Sequence, residues 1–189
     1  MLRPITLSLA LMFVSAPAFA QDTAAPAAPP APVQTEPRET IEGALSQDRT
    51  IIAVPALATP AVQTIAGLRT DSLGRQIGDV ITADLERSGL YAPLGPGSVR
   101  AISMAEVTAP RFADWNARDA ENVVHGFVRA NTDDSLTVGC YLYDTQLGSE
   151  LVRQGFVIQP ADWRRAAHKC ADAIYSRLSG EAPFFDSRV

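Results

Sequence analysis

Apolar residues recur along this chain with two different periods, and the switches between them divide it into elements. Leu73, Ile77, Val80, Ile81 and Leu85 follow one another at three- and four-residue spacing, which predicts an amphipathic helix with Asp71 as its cap and Gly89 as its stop. A second stripe, Trp163, Ala167, Cys170, Ile174 and Leu178, predicts a helix opened by Pro160 and ended by Gly180. Between these helices the pattern shortens. Residues 122–129, 136–144 and 150–158 read as strands joined by the turn segments Asn131-Thr132-Asp133-Asp134 and Thr145-Gln146-Leu147-Gly148, an antiparallel meander. The β-branched run Thr50-Ile51-Ile52-Ala53-Val54, stopped by Pro55, predicts a first strand. Residues 90–94 predict a short one, broken by Gly95-Pro96-Gly97. Thr108 and Pro110 mark the start of a short helix through Ala117 that carries Phe112 and Trp115 on one face. The expectation is an α+β domain, a mixed or antiparallel sheet covered by two long helices and one short helix.

Upstream of residue 49 the pattern is of another kind. Arg3, the apolar stretch from Ile5 to Val14 and the small-residue site Ala18-Phe19-Ala20 come in the order of a secretory signal, cleaved between Ala20 and Gln21. That stretch is too short to span a bilayer, which takes roughly 20 apolar residues, and no later run approaches that length. Gln21 stands where a lipoprotein would carry its lipid-accepting Cys. Residues 21–37 hold five prolines and almost no large apolar side chain, so burial cannot offset the entropy of ordering them. They predict a tether, about 50 Å long if extended as polyproline II. The domain organisation expected is therefore a signal peptide at 1–20, a flexible tether at 21–48, the folded domain at 49–180 and a connecting segment at 181–189.

Charge and motifs narrow the function by exclusion. The balance of 16 Lys and Arg against 21 Asp and Glu gives a net charge of −5 without a basic cluster, which disfavours a nucleic-acid partner. The chain has no Gly-x-Ser-x-Gly, P-loop, Gly-x-Gly-x-x-Gly or His-Glu-x-x-His motif. Neither of its two histidines, His125 and His168, has Cys, Asp or Glu at ligand spacing, so no metal, cofactor or catalytic residue is expected. Trp115 and Trp163 share helix faces with other apolar residues and read as core. Asp79, Asp84 and Glu86 alternate with Arg75 and Arg87 in the pattern of a solvated, ion-paired helix face.

The two cysteines invite a pairing argument. Cys140 shares a strand face with Leu136, Val138 and Leu142, and Cys170 lies in the apolar stripe of the last helix. Both point at the same layer. A disulfide forms if their Cα atoms come within roughly 7 Å; two buried thiols acting as small hydrophobes satisfy the same pattern.

Two long segments carry a family resemblance. Gly74-Arg75-Gln76-Ile77-Gly78-Asp79-Val80-Ile81-Thr82-Ala83-Asp84-Leu85-Glu86-Arg87-Ser88-Gly89-Leu90-Tyr91 resembles the first helix of the TolB family. Asp162-Trp163-Arg164-Arg165-Ala166-Ala167-His168-Lys169-Cys170-Ala171-Asp172-Ala173-Ile174-Tyr175, continuing through Gly180 to Phe184-Phe185-Asp186-Ser187-Arg188-Val189, resembles the end of that family's N-terminal domain. The resemblance implies a periplasmic interaction module of the Tol-Pal envelope system, supporting outer-membrane integrity, cell division and import of macromolecules. In this family the mature N-terminal segment engages TolA, and a β-propeller following the domain engages Pal. The counterpart of the TolA-contact segment here is Thr40-Ile41-Glu42-Gly43-Ala44-Leu45-Ser46-Gln47, for which the other reading is plain linker. Residues 181–189 correspond to the crossing into a propeller that this chain does not contain. A periplasmic small-ligand-binding domain is the alternative class, and it requires a concave pocket with convergent polar groups.

Overall fold

The computed structural model describes residues 49–186. The signal segment with its Ala20–Gln21 cleavage site, the tether and the TolA-contact segment at 40–47 lie outside the described residues.

Ile52, Ala53 and Val54 are fully buried, so the short β1 (Thr50–Ala53) needs cover on both faces and takes the interior of the sheet. It pairs in parallel with β4 (Tyr91–Leu94) on one side and β5 (Asn122–Ala130) on the other. The chain then returns antiparallel through β6 (Leu136–Asp144) and β7 (Ser149–Ile158), giving the order β4-β1-β5-β6-β7. A minor hairpin of β2 (Thr64–Ile65) and β3 (Leu68–Arg69) precedes the first long helix, α1 (Thr70–Arg87). Two short helices, α2 (Met104–Thr108) and α3 (Phe112–Asn116), follow β4, and α4 (Trp163–Ser179) closes the domain behind a single 3-10 turn. The α+β class, the two long helices and the meander match the expectation from periodicity.

The two faces of the sheet are covered unequally. On one, Leu73, Ile77, Ile81 and Leu85 of α1 and Ala167, Cys170 and Ile174 of α4 pack with Val124, Val128, Leu136, Val138 and Leu142. Each fully buried aliphatic side chain contributes roughly 1.5–3 kcal/mol, so this layer is the main core. The opposite face carries a smaller cluster in which Val107, Trp115, Val123 and Tyr143 meet beneath α2 and α3.

Three local expectations change on folding. Asp71 does not cap α1: β3 runs straight into the helix, and the loop carbonyls of Gln63 and Ala61 accept from the Thr70 amide (2.9 Å) and hydroxyl (3.2 Å). Asp71 sits within the first turn and accepts from Arg69 and from the Ser72 amide. Thr108 ends a helix instead of starting one. Glu106 reaches back to the Ser103 amide (3.0 Å) and hydroxyl (3.1 Å), a capping-box contact that starts α2 at Met104. Pro110 then separates α2 from α3, so two short helices stand where one was expected.

The seating of α1 depends on one glycine. Gly74 faces the turn after β1, where its carbonyl accepts from the Leu57 amide at 3.0 Å, and a Cβ there would collide with the Leu57 carbonyl oxygen. Gly74→Ala should therefore lower unfolding stability by about 2 kcal/mol despite alanine's better helix propensity. Gly155→Ala, where a Cβ meets nothing within 4 Å, should change it by less than about 0.5 kcal/mol. Urea titration of both variants checks the contrast.

Candidate functional site

Three groups of polar or reactive side chains are built into the described residues, and each sits on a different part of the scaffold. The first is a seam between the long helices. Asp84 is 2% exposed, and its carboxylate meets His168 Nδ1 on α4 at 2.6 Å and Arg87 Nη1 at 3.0 Å. This corrects the sequence reading of Asp84 as part of a solvated face. Asp79, Glu86, Arg75 and Arg87 are exposed as expected, but position 84 follows Ile77 and Ile81 at helical spacing and so falls on the buried stripe. A buried carboxylate needs partners because leaving it unpaired costs several kcal/mol, and α4 supplies one. Lower on α4, the nearly buried Asp172 accepts three backbone amides: Phe184 (2.9 Å) and Phe185 (2.7 Å) on Oδ1, and Asp186 (3.0 Å) on Oδ2. Tyr175 stacks edge-on against Phe184 and Phe185, and Arg165 pairs with Asp186 at 3.2 Å. The segment leaving α4 is thus pinned to it, a feature that sequence spacing does not announce.

The second group lies on the opposite face. His125 of β5 is fully buried, donates from Nδ1 to the Glu106 carbonyl (2.7 Å) and meets the rings of Trp115 and Tyr143 edge-on. Burial away from water, its largest influence, holds its pKa at about 4. The Arg100 guanidinium bonded to Glu106 at 2.6 Å holds that carboxyl at about 2, and Arg100 also lies 5.0 Å over the Trp115 ring. Burial pushes the Tyr143 phenol up to about 12, and its hydroxyl donates to the Val107 carbonyl. Trp115 and Trp163 are both buried, so both are core residues. His125 and His168 stand on opposite sides of the sheet, each engaged with its own partner, and no group of three metal-ligating side chains occurs among the described residues.

The third group is the cysteine pair. Cys140 on β6 and Cys170 on α4 are buried in the main core with Cα atoms 6.0 Å apart, inside the range a bridge requires. No helix of the described residues is long and apolar enough to cross a membrane. The clefts beside α4 measure about 420 Å³ and 440 Å³ and open to solvent. They are solvent-open grooves lined by a mixture of apolar and charged side chains.

The family model for the TolB amino-terminal domain matches residues 42–151. The chain is similar to the Tol-Pal system protein TolB of Sphingopyxis alaskensis, 75% identical over 188 residues that cover 100% of this chain and 41% of that protein. The corresponding protein of Rhizorhabdus wittichii is 49% identical over 159 residues (84% of this chain, 36% of that protein), and that of Zymomonas mobilis 51% over 184 residues (95% and 40%). The chain thus spans about two fifths of the length of the curated relatives it matches. Among solved structures, TolB from Acinetobacter baumannii has the same fold, with a TM-score of 0.53 and 23% identity over 70% of this chain and 29% of that one.

The buried histidine makes stability depend on pH with a definite sign. Because folding lowers the His125 pKa from 6.5 to about 4, the unfolded chain binds more protons between those values. The His125 contribution is therefore complete above pH 6.5 and declines as pH falls toward 4. Between pH 7 and pH 5 the loss should be about 2 kcal/mol, and in His125→Gln that part of the slope should vanish even if the variant is less stable throughout. Glu106 acts in a separate window, its contribution present above 4.5 and lost as pH falls toward about 2. Urea unfolding at pH 7 and pH 5 for both proteins checks this, and equal slopes would refute the assignment to His125.

Proposed function

This chain belongs to the TolB amino-terminal domain family, and from that premise we propose that it is a periplasmic protein-protein interaction module of the Tol-Pal envelope system and not an enzyme. The family match carries this reading, since it covers residues 42–151 and relatives of up to 75% identity bear that system's name. The two histidines support the non-enzymatic part. One is sealed under Trp115 and Tyr143, and the other holds a buried carboxylate between helices. Residues 1–20 act as the export signal and residues 21–48 as a tether, and the domain at 49–180 serves as the rigid support for contacts made at its margins. In this reading TolA is engaged through residues 40–47, and Pal is engaged through a propeller outside this chain. Support of outer-membrane integrity, cell division and macromolecular import follows from those contacts.

Export to an oxidising compartment also bears on the cysteines. We propose that Cys140 and Cys170 are bonded, closing a loop with a sequence separation of 30, which stabilises by about 3–4 kcal/mol through restriction of the unfolded chain. Thiol titration of the denatured, unreduced protein should find no free thiol, and two free thiols would rule the bridge out. The TolA contact is tested by deleting residues 40–47 and measuring binding to TolA by calorimetry. The deletion should weaken binding by at least roughly tenfold, 1.4 kcal/mol, with the melting temperature unchanged. Undiminished affinity would move the contact elsewhere.

A further inference from the structure

The sheet has two edges, and they are guarded differently. β4 has four residues, one of them Pro93. β7 has ten, contains no proline and lies at the end of the order β4-β1-β5-β6-β7. Its two charges, Glu150 and Arg153, pair with each other at 2.8 Å in its first half. Arg177 caps the Leu151 carbonyl at 3.2 Å. From Gln154 to Ile158 the strand is uncharged, its outward backbone groups have no partner among the described residues, and Val157 is 71% exposed. Natural proteins block such edges with charge, proline or cover, and this one is left open.

What lies beside the open edge indicates its occupant. Gln154, Phe156 and Ile158 point toward α4, in register with the core positions Cys140, Val138 and Leu136 of β6. The two clefts flank this row: about 420 Å³ lined by Phe156, Ala173, Ser176 and Pro183, and about 440 Å³ lined by Ile158 and Arg165. Lys169 borders both. Its ammonium lies 5.7 Å from the Phe156 ring, and no carboxylate of the described residues is within salt-bridge distance. Asp172 lines the first cleft, but the amides of Phe184 to Asp186 occupy its carboxylate oxygens. Asp133 and Asp162 line the second; Asp133 accepts from Ser135. The outer surface of α4 is otherwise basic, with Arg164, Arg165, Lys169 and Arg177.

We propose that the β7 edge and the β7–α4 groove form a strand-addition site for an extended peptide of a partner protein, with an acidic side chain over Lys169 and an apolar one in the cleft against Phe156. Main-chain pairing to residues 154–158 provides the affinity, and side chains at alternate positions provide the selectivity. The site is separate from residues 40–47 and goes beyond the TolA contact proposed above.

The probe is a blocked ten-residue peptide alternating valine with glutamate, titrated into the nitrogen-15-labelled chain; a second peptide carries lysine in place of glutamate. Saturable amide shifts should map to Gln154–Ile158 and Lys169, with the lysine peptide weaker by at least roughly tenfold. Lys169→Glu should reverse that preference and Lys169→Gln should abolish it, both at unchanged melting temperature. No saturation below about 5 mM, shifts elsewhere, or a preference that ignores Lys169 would overturn the proposal. So would concentration-dependent self-association without peptide shifts, which assigns the edge to a second copy. Binding seen only after deletion of residues 40–47 would assign it to the chain's own segment.

Discussion

Where Gly74 meets Leu57, helix backbone touches the turn that leaves β1, and this contact sets how closely α1 lies on the sheet. Much else follows from that seating. With α1 packed against β4 and β5, the remaining width of the same face, over β6 and β7, is left to α4, and the two helices lie side by side. Their proximity carries Asp84 into the seam between them, where His168 becomes its partner. The same placement brings Cys170 over Cys140. The Asp84–His168 hydrogen bond joins the two helices across that seam, while the apolar stripe of α4 faces the sheet.

The outcome is a layer structure with a thick side and a thin side. The thick side carries the long helices and the pinned segment 184–186. The thin side carries short helices locked by the Glu106 ion network and the sealed His125. The polar groups of both sides hold backbone and helices in place. A support of this kind suits contacts made by extended segments at its margins, where main-chain hydrogen bonding and charge select the partner.

How much of this was legible in the sequence depends on whether the determining contact is local. α1, α4 and the meander β5 to β7 follow from side-chain period alone, because each buries one face along its whole length. The inward direction of Cys140 and Cys170 follows from the same periods. The interior place of β1 was not legible, since the order β4-β1-β5 is set by contacts between segments roughly 40–70 residues apart in the chain. Ser103 and Glu106 did hold a local signal for α2, at the spacing of a capping box, yet five residues give no periodicity to support it. Asp84 carries two conflicting local signals, a charge alternating with Arg75 and Arg87 and a position on the Ile77 and Ile81 stripe, and burial follows the position. The pinning of Phe184 to Asp186 by Asp172 has no sequence signature at all.

In the function proposed above, a rigid helix-and-sheet support carries its TolA contact ahead of the first strand without itself rearranging. Amide hydrogen exchange across the whole chain, measured with and without saturating TolA, tests this most directly. New protection is expected only in residues before Arg49, with exchange in α1, α4 and β5 to β7 unchanged. Protection gained or lost within the helix pair or the sheet, with none before Arg49, would contradict it.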